Sequence, residues 1–203
     1  MATKTAICNF ALRHLAHGKL LLNVETDRTP AANVMRQWYD QVIEEVLRDF
    51  WWPFAMERDD LALVETSPND DWAYSYRYPS GCVFFRFIPS GATRKETLDT
   101  AVPFAIGQDA TGKLIFTDAV DAEGVWTKLI SDPAMYAPDF VQMVALLLAA
   151  YAGPSITGGD EFKLAERALK MYAWAQSRAQ KNAANEQQRD PEPDAALIRA
   201  RNG

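Results

Sequence analysis

Two histidines, two cysteines and several adjacent carboxylates are the groups in this 203-residue sequence with reactive side chains. His14 and His17 lie three positions apart on an apolar-periodic segment, without the intervening glutamate of an H-E-x-x-H metal site. They read as a half-buried helix histidine and its exposed neighbour. Cys8 and Cys82 lack C-x-x-C spacing and read as buried thiols of a reducing compartment. Asp59–Asp60 and Asp70–Asp71 carry the residue types that bind Mg²⁺ or divide acid and base roles in a hydrolase. Neighbours on a strand, however, point to opposite faces. Asp70–Asp71 sits in "SPNDDW", where Asn and Asp favour a turn. No G-x-S-x-G, Walker A or G-x-G-x-x-G pattern is present. The glycines of "ITGGDE" precede Asp160 and Glu161, which supply a helix start with its own anions.

Aromatic side chains are the second candidate for binding. Trp72, Tyr74, Tyr76 and Tyr78 alternate along "WAYSYRY" and would share one face of a strand. Such a face could stack on bases or sugars, but stacking readers interleave basic residues, and only Arg77 and Arg86 are near. The face therefore reads as core or subunit interface. Phe50, Trp51, Trp52 and Phe54 surround Pro53 where helical periodicity gives way to strand alternation. They are expected to form a structural hinge that fills the wedge between helix and first strand.

Composition narrows the remaining classes. The formal charge of −6 argues against a protein that grips a nucleic acid backbone, yet suits a wall past which DNA slides without sticking. The N-terminus lacks the pattern of a signal peptide. The apolar run Phe140–Ala152 falls short of a membrane span and reads as a core helix. A soluble, cytoplasmic protein is the expectation, with no cofactor, catalytic or metal site.

The elements that position these residues follow from periodicity. A first helix is expected from Thr5 to His17, capped by Gly18. A second opens on Thr29 and Pro30, carries Val34, Trp38, Val42 and Val46 on one stripe, and is ended by Pro53. About five short strands follow between Leu61 and Ile130. Helix character resumes at Pro138 or Asp139 and is expected to break at "GPSITGGD". A last helix runs from Asp160 or Glu161 to Asn182, with two apolar lines that call for neighbours on both sides. The predicted class is α+β: N-terminal bundle helices in 1–58, an inserted antiparallel β region in 59–132, C-terminal bundle helices in 133–182, and a tail, 183–203. The tail contains Pro191 and Pro193 and closes on a short docking element, Leu197, Ile198, Arg199 and Arg201.

The succession "ICNFALRHLAHGKL", "LRDFWWPFAMERDDLAL", "WAYSYRYPSGCVFFRFI" and "IFTDAVDAEGVWTKLISDPAMYAPDFVQMVALLLA" resembles the tail tubular protein A family, head-to-tail adaptors of short-tailed bacteriophages. The resemblance rests on Trp52, Pro53, Phe54 and Ala55, on Tyr74, Tyr76, Pro79 and Cys82, and on Asp132, Pro138 and Phe140. Gly81 stands where members often carry aspartate. It implies a non-enzymatic subunit of a homo-oligomeric, typically dodecameric ring between portal protein and tail nozzle, through which DNA passes. The helical bundle would form the ring, the β region would face outward or toward the nozzle, and the tail would reach the portal. The rival classes are a tail-associated hydrolase using the acidic pairs and a carbohydrate- or nucleic-acid-binding module using the tyrosine face.

Overall fold

A computed structural model describes residues 2–66, 68–91, 101–159 and 163–186. Four helices hold one core and two antiparallel sheets hold another, an α+β fold. α1 (Lys4–His14) starts on Thr3, whose hydroxyl accepts from the Ala6 amide. The helix ends earlier than its periodicity suggests. Ala16, with φ of 52°, takes the left-handed position expected of Gly18, and the His17 amide closes back on the Leu12 carbonyl at 3.0 Å. α2 (Pro30–Asp49) opens where predicted, with Thr29 as cap and Pro30 at its first position. Its chain leaves the helix at Phe50, three residues before Pro53.

α3 (Pro138–Thr157) is the centre of the bundle. Apolar on almost every side, it buries Phe140, Met143, Val144, Leu146, Leu147 and Leu148 among the other three helices. It is long and apolar enough to cross a membrane, yet 61% of its apolar window is buried inside the protein. The expected break at Gly153–Pro154 does not occur. Pro154 falls in the last turn, and the stop comes at Gly158, whose left-handed φ of 73° lets the Gly159 amide reach the Pro154 carbonyl. Gly153 has a different use: a β-carbon there would stand 2.8 Å from the Ala165 side chain and 3.1 Å from Leu15. α1 and α4 thus close on α3 at this point.

α4 (Leu164–Glu186) runs antiparallel to α3, from the Ala165–Gly153 contact to Asn182, which donates to Asp139 at 2.8 Å. Its predicted first residues, 160–162, lie outside the described residues. Of the two predicted stripes, Ala165, Tyr172, Ala168 and Ala175 are buried and Leu164 and Met171 pack partly on the core, while Leu169 turns to solvent; Ala179 is buried with them. Two phenols tie α3 and α4 to α2. Tyr151 donates to Glu45 at 2.7 Å and Tyr172 to Asp49 at 2.5 Å.

Among the described residues seven strands replace the roughly five expected. β1 (Met56–Asp60), β7 (Glu123–Lys128) and β4 (Cys82–Phe87) form one sheet in the order β1-β7-β4. β2 (Leu63–Thr66), β3 (Tyr74–Arg77), β6 (Gly112–Thr117) and β5 (Phe104–Asp109) form the other, in the order β2-β3-β6-β5. β1 is the correction with a physical reason. "MERDD" has no apolar alternation, and the β region begins at Met56 rather than at 59. Its backbone pairs with β7, and its charges pair across the strands: Arg58 with Glu123 and Glu57 with Lys128. The sheets share a small core of Leu61, Tyr76, Phe85, Ile88, Ile115 and Trp126. Gly124 keeps it closed, since a β-carbon there would sit 2.8 Å from both Leu61 and Phe85.

Two hydrogen-bonded phenols, Tyr136 and Tyr151, make stability depend on alkaline pH. Burial pushes Tyr136, which donates to the Ile130 carbonyl, up to about 12. The bond to Glu45, then burial, pushes Tyr151 up to about 12. An unfolded tyrosine titrates near ~10. Folded values above the unfolded one mean that the contribution is complete below pH ~10 and is lost as pH rises toward 12. Chemical denaturation at stepped pH should show stability falling across that window, less steeply in Tyr136→Phe and Tyr151→Phe. A fall of equal slope in parent and variants would refute it.

Candidate functional site

The carbonyls at the end of a helix lack amide partners within it. At the end of α2 two side chains supply donors. Trp52 Nε1 donates to the Val46 carbonyl at 2.8 Å. Arg86, from β4, donates through one guanidinium nitrogen to the carbonyls of Leu47 at 3.2 Å and Phe50 at 2.9 Å, with Arg48 more distant at 3.5 Å. Its Nε donates to Thr127 Oγ1 on β7 at 2.9 Å, so one guanidinium joins α2, β4 and β7. A cation at a helix C-terminus also meets the negative end of the dipole. Burial lowers the Arg86 pKa from its ordinary value, and the guanidinium retains its charge.

The aromatic segment divides around this clamp. Trp52 is buried in the helical core, edge-on to Phe140 at 5.1 Å and to Phe50 at 4.9 Å. Phe54 stands against Phe140 at 5.2 Å and Tyr136 at 6.1 Å. Trp51 faces the other way, against Phe87 at 5.7 Å, on the sheet side. Arg86 lies over Phe84 at 4.5 Å. The extended backbone at Phe50 and Trp52 therefore sends alternate rings into two different bodies, the bundle and the sandwich.

The groups with chemical potential are dispersed. Asp59 and Asp60 occupy the exposed end of β1, opposite Gly124 and Glu123, and Asp59 accepts from the Asp60 amide at 2.9 Å. They border a cleft of about 400 Å³ with Arg77, Tyr78 and Lys128. The cations there are already engaged, Lys128 with Glu57 and Arg77 with Asp109. Asp70 and Asp71 lie in a turn, where Asn69 Oδ1 accepts from the amides of Asp71 and Trp72 at 3.0 and 2.9 Å. The two pairs are not brought together into one cluster. Among the described residues no group of three or more His, Cys, Asp or Glu could hold a metal ion. The tyrosine face is spent on packing. Tyr76 is 1% exposed and its hydroxyl donates to the Ala119 carbonyl at 2.8 Å. Tyr78 packs on Phe85 at 6.2 Å.

Cys8 is buried in the bundle and Cys82 half-buried in the sandwich; burial pushes Cys8 up to about 12. His14 is half-buried, held below its ordinary pKa by burial and then by the charge of Arg167; His17 lies beyond the end of α1. Leu197, Ile198, Arg199 and Arg201 lie outside the described residues. What sequence reasoning missed is an apolar groove of about 720 Å³ between α1 and α3, lined by Ala6, Phe10, Arg13, Tyr136, Val141 and Ala145. Phe10, which helical spacing groups with Ile7, Ala11 and Leu15 on one stripe, is instead 43% exposed on its bank. No protein-family model matches the chain, and no curated protein matches it.

Trp52→Phe removes the indole donor together with the five-membered ring of a buried side chain. In denaturant unfolding it should cost about 1–3 kcal/mol for the buried carbonyl left without its partner, plus the cost of the smaller ring in the core. An unchanged midpoint would show that the Val46 carbonyl does not need Trp52.

Proposed function

We propose that this chain is a structural virion protein, the ring-forming head-to-tail adaptor of a short-tailed bacteriophage. The observation that carries the reading is a meeting of residues far apart in the sequence. Trp52 and Phe54, and Phe140 at the start of α3, are positions on which the family resemblance rests, and they pack on one another in a single aromatic cluster. Tyr76 and Cys82, from the second stretch of resemblance, line the sandwich core. These matches thus fall in the aromatic core of the bundle and in the core of the sandwich.

A subunit with a helical body clamped to a β body suits a part that must hold different neighbours at its two ends. In this reading the bundle forms a homo-oligomeric ring, a dodecamer by resemblance, and the sandwich faces outward or toward the tail nozzle protein. Leu20 and Leu22, beyond α1, and Leu169, on α4, are exposed apolar side chains that a ring neighbour would cover. The net charge of −6 supports a channel that DNA crosses without being held. The subunit works without catalysis or cofactor, is assembled in the host cytoplasm, and ends in the virion tail. Leu197, Ile198, Arg199 and Arg201 are proposed to dock on the portal protein.

Electron microscopy of the purified chain, alone and mixed with portal rings, tests the reading. Closed rings with the portal's symmetry in either sample are expected, because a channel demands cyclic closure. A protein that remains monomeric and leaves portal rings bare would overturn it.

A further inference from the structure

The groove beside α1 is shaped by small residues and flanked by large ones. Ala145 lines it on α3, and Phe10 stands 43% exposed on the α1 bank. α1 and α4 converge at Gly153 and diverge toward the start of α3, where the groove opens. The surroundings are basic on an otherwise acidic protein. Arg13 lies over Phe10, Arg167 is close to His14, and Arg178 donates to Gln142 on the groove wall. Asp139, beside groove-lining Pro138, is paired with Arg178 at 3.6 Å. Such a surface fits a segment that is apolar at one end and acidic at the other.

The chain carries that segment. Asp190, Glu192 and Asp194 are followed directly by Ala195, Ala196, Leu197 and Ile198. α4 brings it near, since Asn182, one turn before Glu186, is hydrogen-bonded to Asp139, the neighbour of groove-lining Pro138. Pro191 and Pro193 lack the amide that a straight continuation of α4 would use. Reach is ample. From Glu186 to Leu197 the chain can span up to ~36 Å. From Pro138 to Ala145 along α3 is only ~10 Å.

We propose that the groove between α1 and α3 is the docking site of the chain's own segment 190–198. The acidic half passes Arg178 and Arg13, and Leu197 and Ile198 lie on Ala145 against Phe10. Docking in this way covers an apolar concavity of about 720 Å³ in a subunit that has met no partner. It does not depend on the adaptor reading, and an isolated subunit displays it.

The test uses the full chain and a Leu197→Asp/Ile198→Asp variant, compared by amide hydrogen exchange of α1 and by fluorescence of bis-ANS. The variant should exchange α1 amides about tenfold faster, the factor expected when roughly one leucine's worth of cover is lost. It should also gain dye binding and melt only a few degrees lower, about 2–5 °C, as the loss of that cover requires. Arg13→Glu should act in the same direction, and adding Asp194→Arg to it should restore protection. Should the double variant unfold, Ile198→Ser gives the same readout at lower cost. Equal exchange and equal dye binding in parent and variants would overturn the proposal. So would protection that disappears on dilution, which would assign the segment to a second copy.

Discussion

The end of α2 is the point on which the rest of the molecule turns. A helix that stops inside a protein leaves carbonyls facing a medium without water, and each must find a donor. Here the donors come from opposite directions. Trp52 bends back from the chain's own exit, and Arg86 arrives from a strand in the other body. The solution satisfies the helix and fixes the sheet to it in one stroke. It also explains the density of aromatic rings at this place: the guanidinium is half-buried, and the faces of Phe84 and Trp51 offer it electron density where water is scarce.

From this junction the bundle and the sandwich follow separate rules. In the bundle, α3 is the element every other helix touches, and its fit depends on small residues. Gly153 lets α1 and α4 close on it, and Ala145 leaves the groove where they part. In the sandwich the central positions are apolar, while the edge is held by paired charges: Arg58 with Glu123, Lys128 with Glu57, Arg77 with Asp109. Surface pairs of this kind add little stability singly. They are the means by which a strand as polar as β1 stays in register.

Sequence periodicity was a good guide wherever burial was one-sided. Thr29–Pro30 marked the start of α2 and Pro138 that of α3, because capping chemistry is local. The strands built on Tyr76, Phe85, Ile115 and Trp126 were visible for the same reason: alternate residues meet a core. Legibility failed where the decisive partner is distant. "MERDD" becomes a strand through β7, some sixty residues on, and Gly153–Pro154 stays helical because the turn is capped only at Gly158. The candidate site was half-legible. Aromatic crowding around Pro53 announced a junction, but nothing local to Arg86 reveals that it caps a helix ending at Asp49. The groove was invisible altogether, since it arises from the divergence of helices remote in sequence.

The dependence of both bodies on one guanidinium is tested most directly by Arg86→Met, which keeps much of the side-chain length and removes the donors. Thermal unfolding would be followed by near-ultraviolet circular dichroism and by calorimetry. The parent should melt in one transition, with both bodies unfolding together. The variant should separate into two, the sandwich and the bundle melting at different temperatures. A variant that still melts in a single transition close to the parent's would show that the bodies are held together by something other than the clamp at the end of α2.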